Sequence, residues 1–121
     1  MNKDLIIRIL GKEDAIKFDD EMYNLRGMVE ELRHFIILQL QVSDNEANHF
    51  KEKLLLTSIT MNLLSQKLDS VTGYTNSKNY LKKVIDSVYL HTNEICSALS
   101  TNNFKNLTYH TNCLADLVLA Y

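Results

Sequence analysis

Residues 43–71, SDNEANHFKEKLLLTSITMNLLSQKLDSV, decide the fold of this chain. Ser43 and Glu46 have the spacing of a capping box, in which each side chain satisfies a free backbone N–H at the start of a helix. Apolar residues then alternate at spacings of three and four, which indicates an amphipathic helix. One face carries Leu54, Thr57, Met61, Leu64, Leu68 and Val71, and a second set widens it: Leu55, Leu56, Ile59 and Leu63. We therefore expect this helix to be central in a bundle.

The segment before Ser43 has a similar pattern. From about Lys12 to Val42, a heptad seam is formed by Phe18, Met22, Leu25, Val29, Leu32 and Ile36. Gly27 lies in the middle of this helix, where glycine lowers helix stability by about 1 kcal/mol relative to alanine. Its presence there is compatible with either a kink or the close approach of another helix. Residues 5–10 (LIIRIL) stop at Gly11 and are compatible with either a short strand or a short helix.

Two more helices follow, separated by polar breaks at residues 72–77 (TGYTNS) and 101–103 (TNN). The third helix, to about Ser100, carries on one face Leu81, Val84, Val88, Ile95 and Leu99, and the last carries Phe104, Leu107, Leu114, Leu117 and Tyr121. The chain has no proline and three glycines, fewer than the tight turns of an all-β protein require. The sequence predicts an all-α fold: an antiparallel bundle of four main helices, with or without a short extra N-terminal element, in one domain spanning residues 1–121. The first two main helices form a long hairpin.

Charge and composition limit the classes of partner. The formal net charge of −2 disfavours binding to a nucleic-acid backbone. No stretch approaches the ~20 apolar residues that cross a bilayer, so no membrane partner is expected. The two cysteines, Cys96 and Cys113, are too few for a disulfide framework and suit a reducing compartment. We expect a cytoplasmic protein.

Glutamate and histidine at helical spacing are weak candidates for a metal site. Glu31 and His34 are three residues apart, as in carboxylate-bridged di-metal bundles. His91 and Glu94 repeat the pair in reverse order, with His110 on another helix. Such sites need a second pair of the same kind and two further glutamates, and the one similar pair in this sequence runs in the opposite order. We therefore expect no bound metal, no cofactor and no catalytic residues.

His34 also supports a phosphotransfer alternative. The stretch Leu32-Arg33-His34, with Leu40 and Gln41 downstream, resembles the phospho-accepting helix of sporulation-type phosphotransferases, which dimerise through a helical hairpin. That family places an acidic residue directly after the histidine and an asparagine further on. This chain has Phe35 and Leu38 at those positions, so no acid orients the imidazole.

Two features favour self-association through the hairpin of the first two main helices. These are helix 1, from about residue 12 to residue 42, and helix 2, within residues 43–71. At ~1.5 Å per residue these helices reach roughly 40–46 Å, against roughly 28–35 Å for helices 3 and 4. Between Asn106 and Tyr121, Asp116 is the only aspartate, glutamate, lysine or arginine, so this tail either closes the chain's own core or forms an interface. The residues expected at a dimer interface are Leu25, Val29, Leu32, Ile36, Leu114, Leu117 and Tyr121.

A wider pattern covers about the first 70 residues. The apolar run from Leu5 to Gly11, then Ala15-Ile16, a heptad helix and residues 56–64 (LTSITMNLL) together resemble ZapA-type cell-division proteins. In that family an N-terminal hairpin precedes helices that dimerise and form coiled-coil tetramers, which cross-link division filaments. Gly73 and the two helices after it depart from the single long coiled coil of that family.

These observations predict a non-enzymatic protein–protein interaction module: an adaptor, an assembly factor or a small inhibitor of a partner protein, acting as a helical homodimer. Its partners would be a second copy and an unidentified protein. The alternatives are a metal-binding or phosphohistidine bundle centred on His34 and a ZapA-like filament cross-linker. The sequence does not identify the partner, the pathway or the stoichiometry.

Overall fold

A computed structural model describes residues 1–39 and 41–121. It contains five helices: α1 (Lys3–Leu10), α2 (Lys12–Ile37), α3 (Asp44–Asp69), α4 (Thr75–Thr101) and α5 (Phe104–Ala120). No strand occurs in the described part of the chain. The predicted all-α bundle of four main helices is confirmed, and residues 5–10 belong to a short helix.

The predicted capping box starts α3. The Ser43 hydroxyl accepts a hydrogen bond from the Glu46 backbone N–H at 3.2 Å, and the Ser43 N–H donates to the Glu46 carboxylate at 3.3 Å. Asn103 caps α5 in the same way, because its side-chain oxygen accepts from the Asn106 N–H at 3.1 Å. These side chains satisfy backbone donors that have no partner within the helix. The breaks before α3 and α5 therefore fall where a capping side chain begins the next helix, whereas α4 begins after Tyr74 without a side-chain cap.

Gly11 is the single residue between α1 and α2. Its φ of 88° and ψ of 158° lie in a region that is open to glycine and strained for other residues. The Gly11 N–H donates to the Ile7 carbonyl at 2.7 Å, and its carbonyl accepts from the Ala15 N–H at 3.0 Å. This sharp turn folds α1 back so that it contacts both α2 and α3.

The four long helices run up, down, up and down. The antiparallel pairing of α2 with α3 is visible in the contacts of Asp14 with Lys67 and of Glu21 with Thr57. Helix α3 packs closely on α4, α4 on α5, and α5 on α2, whereas α2 and α3 contact each other over a much shorter length. The bundle therefore has three closely packed seams and one that is partly open. The largest fully buried side chains include Phe18, Met22, Leu25, Leu32, Leu54, Met61, Leu68, Leu81, Ile85 and Ile95.

The predicted helices 1, 2 and 3 correspond to α2, α3 and α4, and the prediction that the first two are longer than the third is wrong. Helix α4 has 27 residues and α2 and α3 have 26 each, so all three are about 40 Å long. Helix α4 begins at Thr75, inside the stretch that the sequence assigned to a break. Helix α2 is also continuous through Gly27, which is exposed, with no other atom within 4 Å of where a Cβ would lie.

Helix α3 is not central in the bundle, contrary to the expectation from its wide apolar stripe. The first set is buried from Leu54 to Leu68, and α3 packs mainly on α4. Val71 lies beyond the end of α3 and is partly buried. The second set, Leu55, Leu56, Ile59 and Leu63, is between 50% and 65% exposed. At about 100° per residue these four side chains lie on the opposite face of the helix from the buried set. We call these four residues the outward stripe.

A pair of truncations in α5 tests this arrangement. Leu114 is fully buried and Leu119 is 58% exposed. Because Leu114→Ala removes core contacts and leaves a cavity, we expect it to lower the free energy of unfolding by about 2–5 kcal/mol. Leu119→Ala, the matched control, should change it by no more than about 0.5 kcal/mol. Urea denaturation measures both, and equal costs for the two variants would contradict the packing.

Candidate functional site

The sequence-predicted metal candidates divide between two seams of the bundle. Glu31 and His34 lie on exposed positions of α2 and line a cavity beside α3. His91 and Glu94 on α4 meet His110 on α5. Within the described residues, no group of three or more histidine, cysteine, aspartate or glutamate side chains is placed to hold a metal ion. The two groups therefore do not form one site.

His91 and His110 form a direct contact between α4 and α5. Their Nδ1 atoms are 3.0 Å apart, and their ring centroids are 5.3 Å apart. The centroid separation is the Nδ1–Nδ1 distance extended by about one ring radius at each end, so the two nitrogens face each other head-on. A metal ion would instead need both lone pairs to converge on a third point. The geometry is that of an N–H···N hydrogen bond, in which one imidazole donates and the other accepts.

Glu94 supports this pair from the other side of His110. Its carboxylate oxygen lies 3.7 Å from His110 Nε2, which is a favourable electrostatic contact when His110 is protonated. Burial lowers the pKa of His91 from its ordinary value of 6.5, the charge of His110 lowers it further, and Glu94 raises it. Protonation of both rings would place two cations side by side, which is why the charge of His110 opposes protonation of His91.

The cysteines show no sign of activation. Cys96 and Cys113 are both partly buried and not joined by a disulfide. Burial raises the pKa of the Cys96 thiol, with a smaller opposing effect from the Lys51 charge. Since the thiolate is the nucleophile, this environment keeps Cys96 in its unreactive protonated form at neutral pH.

Most residues expected at a dimer interface lie inside the chain's own core. Leu25, Val29, Leu32 and Leu114 are buried, and Ile36, Leu117 and Tyr121 are partly buried against the core. Tyr121 donates its hydroxyl to the Asp19 carboxylate at 2.6 Å, and its ring packs edge-on against Phe18 at 5.0 Å. The C-terminal segment therefore closes the bundle, which is the first of the two roles left open by the sequence.

Sequence reasoning missed the two surface features that the fold creates. The first is the outward stripe on α3, which is bounded by the exposed polar residues Asn48, Glu52 and Gln66. The second is a groove along the open part of the α2–α3 seam. It consists of two cavities of about 730 and 320 Å³ that share Gly27 and Glu31. The sequence signal for the stripe was the large number of apolar residues at positions 54–64. The sequence could not show which face of this helix is covered by the rest of the chain.

Comparisons with protein-family models, with curated proteins and with solved structures return no match for this chain. None of the helices in the described part of the chain combines the length and the apolar character that a membrane span requires. The inference of function therefore depends on the surface and the side-chain geometry of this chain.

The histidine pair predicts a pH dependence of stability. Because the folded-state pKa of His91 is lowered, the unfolded chain binds more protons than the folded chain as the pH falls through about 6.5. We expect His91 to contribute stability above that pH and to lose this contribution as the pH falls to its folded pKa. His91→Gln keeps a hydrogen-bonding group but does not titrate, so the melting temperature of this variant should fall less than that of the wild type between pH 7.5 and 5.5.

His49→Gln is the matched control, since His49 is an exposed histidine on α3. Its melting temperature should follow the pH dependence of the wild type. Parallel profiles for the wild type and His91→Gln, measured by circular dichroism, would show that the pair does not couple protonation to folding.

Proposed function

We propose that this chain is a non-enzymatic protein–protein interaction module that acts as a homodimer through the outward stripe of α3. The observation that supports it is the exposure of Leu55, Leu56, Ile59 and Leu63 along two adjacent turns of one helix. Contiguous apolar patches of this kind on a soluble domain mark interaction sites. Burial is favourable by about 25 cal/mol per Å² of apolar surface.

A second copy is the occupant that fits this stripe. A two-fold axis places the same patch of each subunit against the other, so an isologous interface must be self-complementary. If two α3 helices cross antiparallel at Ile59, Leu55 of one copy meets Leu63 of the other. Glu52 then lies opposite the neutral Gln66, because each is seven residues from Ile59. A parallel pair would place Glu52 against Glu52, so we infer the antiparallel arrangement.

Within this proposal the module is an adaptor, an assembly factor or a small inhibitor in the cytoplasm, with a further protein as its target. The separation of Glu31 and His34 from the His91–His110 pair supports a non-catalytic role. No observation favours the metal or phosphohistidine alternative centred on His34. The ZapA-like alternative is not favoured either, because residues 3–10 are helical where that family has a hairpin.

Substitution of the central residue of the stripe tests the dimer. The wild type should sediment at twice the chain mass of 14.0 kDa at high concentration. Ile59→Glu should weaken the dimer by about 30-fold, which corresponds to roughly 2 kcal/mol, because each copy then buries a charge without a partner. Its helical circular dichroism should be unchanged, since Ile59 is 50% exposed in the single chain and a carboxylate at this position stays in contact with water.

Leu90→Glu on α4 is the matched control. Leu90 is 52% exposed and Ile59 is 50% exposed, but Leu90 lies outside the stripe. This variant should dimerise like the wild type. A wild type that stays monomeric across the micromolar range, or an Ile59→Glu variant that dimerises as tightly as the wild type, would refute the proposal.

A further inference from the structure

The seam between α2 and α3 is filled at one end by a helix and open at the other. Helix α1 packs against both α2 and α3 and buries Ile6, Ile9 and Leu10 there. The Asp14–Lys67 ion pair joins α2 to α3 near this end of the seam. The chain therefore shows what the seam accommodates: an amphipathic helix whose apolar face is turned inward.

The open part of the seam is as long as a short helix. Along α2 it extends from Glu21 to His34, which is about 20 Å or between three and four helical turns. At its centre Gly27 has no side chain, and a Cβ built there would meet no atom within 4 Å. The two α2–α3 cavities are joined at this residue, so they form one continuous groove.

The groove has an apolar part and an acidic wall. Phe35 and Phe50 line it, with their rings edge to face at a centroid distance of 6.1 Å. Glu30 and Glu31 are exposed on the α2 wall, and neither forms a salt bridge within the described residues. Lys53 is the one lysine or arginine that lines the groove in the part of the chain that the structure describes. A ligand for this groove must combine an apolar face with positive charge.

We infer that the α2–α3 groove binds an amphipathic helix of a partner protein, with apolar residues against Phe35 and Phe50 and lysine or arginine residues against Glu30 and Glu31. This is the helix-in-groove mode of recognition, in which anchors spaced by three and four residues enter an apolar groove. The inference rests on the proposed function in that it names the second partner of the module. The groove and the dimer surface have only Leu56 in common, so the two proposals can be tested separately with variants of other residues.

Two designed peptides of about 18 residues, each roughly 27 Å long as a helix, probe the groove. Both carry leucine at spacings of three and four, and their polar positions are lysine in one and glutamate in the other. Fluorescence anisotropy on the intact protein should show binding of the lysine peptide and at least tenfold weaker binding of the glutamate peptide. Equal binding of both peptides, or binding of neither, would overturn the inference.

Two variants locate the binding site. Gly27→Trp fills the centre of the groove from an exposed helical position, so it should fold and weaken binding of the lysine peptide at least tenfold. Glu30→Lys/Glu31→Lys should reverse the preference toward the glutamate peptide. The control Asp20→Lys/Asp116→Lys makes the same charge change at exposed positions outside the groove, and it should keep most of the affinity. A loss as large in the control as in the groove variant would mean non-specific attraction.

The Ile59→Glu variant separates the groove from the dimer. It should bind the lysine peptide with wild-type affinity, because Ile59 does not line the groove. If Ile59→Glu abolished binding while Gly27→Trp bound normally, the peptide site would be the outward stripe and the groove inference would be wrong. A wild type that proves monomeric leaves the peptide measurement valid, since the groove lies within one chain.

Discussion

An amphipathic helix must remove its apolar face from water, and α3 carries two such faces while this chain covers one. The inner face packs mainly on α4, and the outer face remains exposed over two turns. Burying both faces would require neighbours on opposite sides of the helix, which places it at the centre of a larger assembly. A bundle of four long helices cannot supply those neighbours, because each helix occupies a corner. The proposed dimer would supply the missing neighbours for the outer face of α3.

The same geometry explains why the α2–α3 seam is partly open. Helix α2 directs its buried residues mainly toward α5, where the Arg26 side chain also donates to the Val118 carbonyl at 3.1 Å. The hydrogen bond from the Tyr121 hydroxyl to the Asp19 carboxylate joins the end of α5 to α2. Helix α1 then enters between α2 and α3 and fills one end. What remains is a groove with Glu30 and Glu31 on the α2 wall and the Phe35–Phe50 contact at one end. It is adjacent to the outward stripe and meets it at Leu56.

The helices, their caps and their breaks could be predicted from the sequence, because these features depend on residues close together in the chain. The Ser43–Glu46 box and the polar stretch at residues 101–103 are local hydrogen-bonding signals. The predicted heptad seam of α2 was also correct, since five of its six positions are buried and the sixth, Ile36, is partly buried against the core. The assignment of these heptad positions to a dimer interface does not follow from the periodicity. A periodic pattern shows that one face of a helix is buried, but it does not show which partner buries it.

The sequence by itself determined an all-α chain with amphipathic helices of defined phase, because capping and a 3.6-residue period act within a few turns. Only the tertiary structure decided which face of α3 is covered, how His91 meets His110 across two helices, and where the α2–α3 groove stays open. Each of these depends on the pairing of helices that are distant in sequence. That pairing is set by the competition of all apolar faces for the same limited buried volume, and no local pattern encodes its outcome.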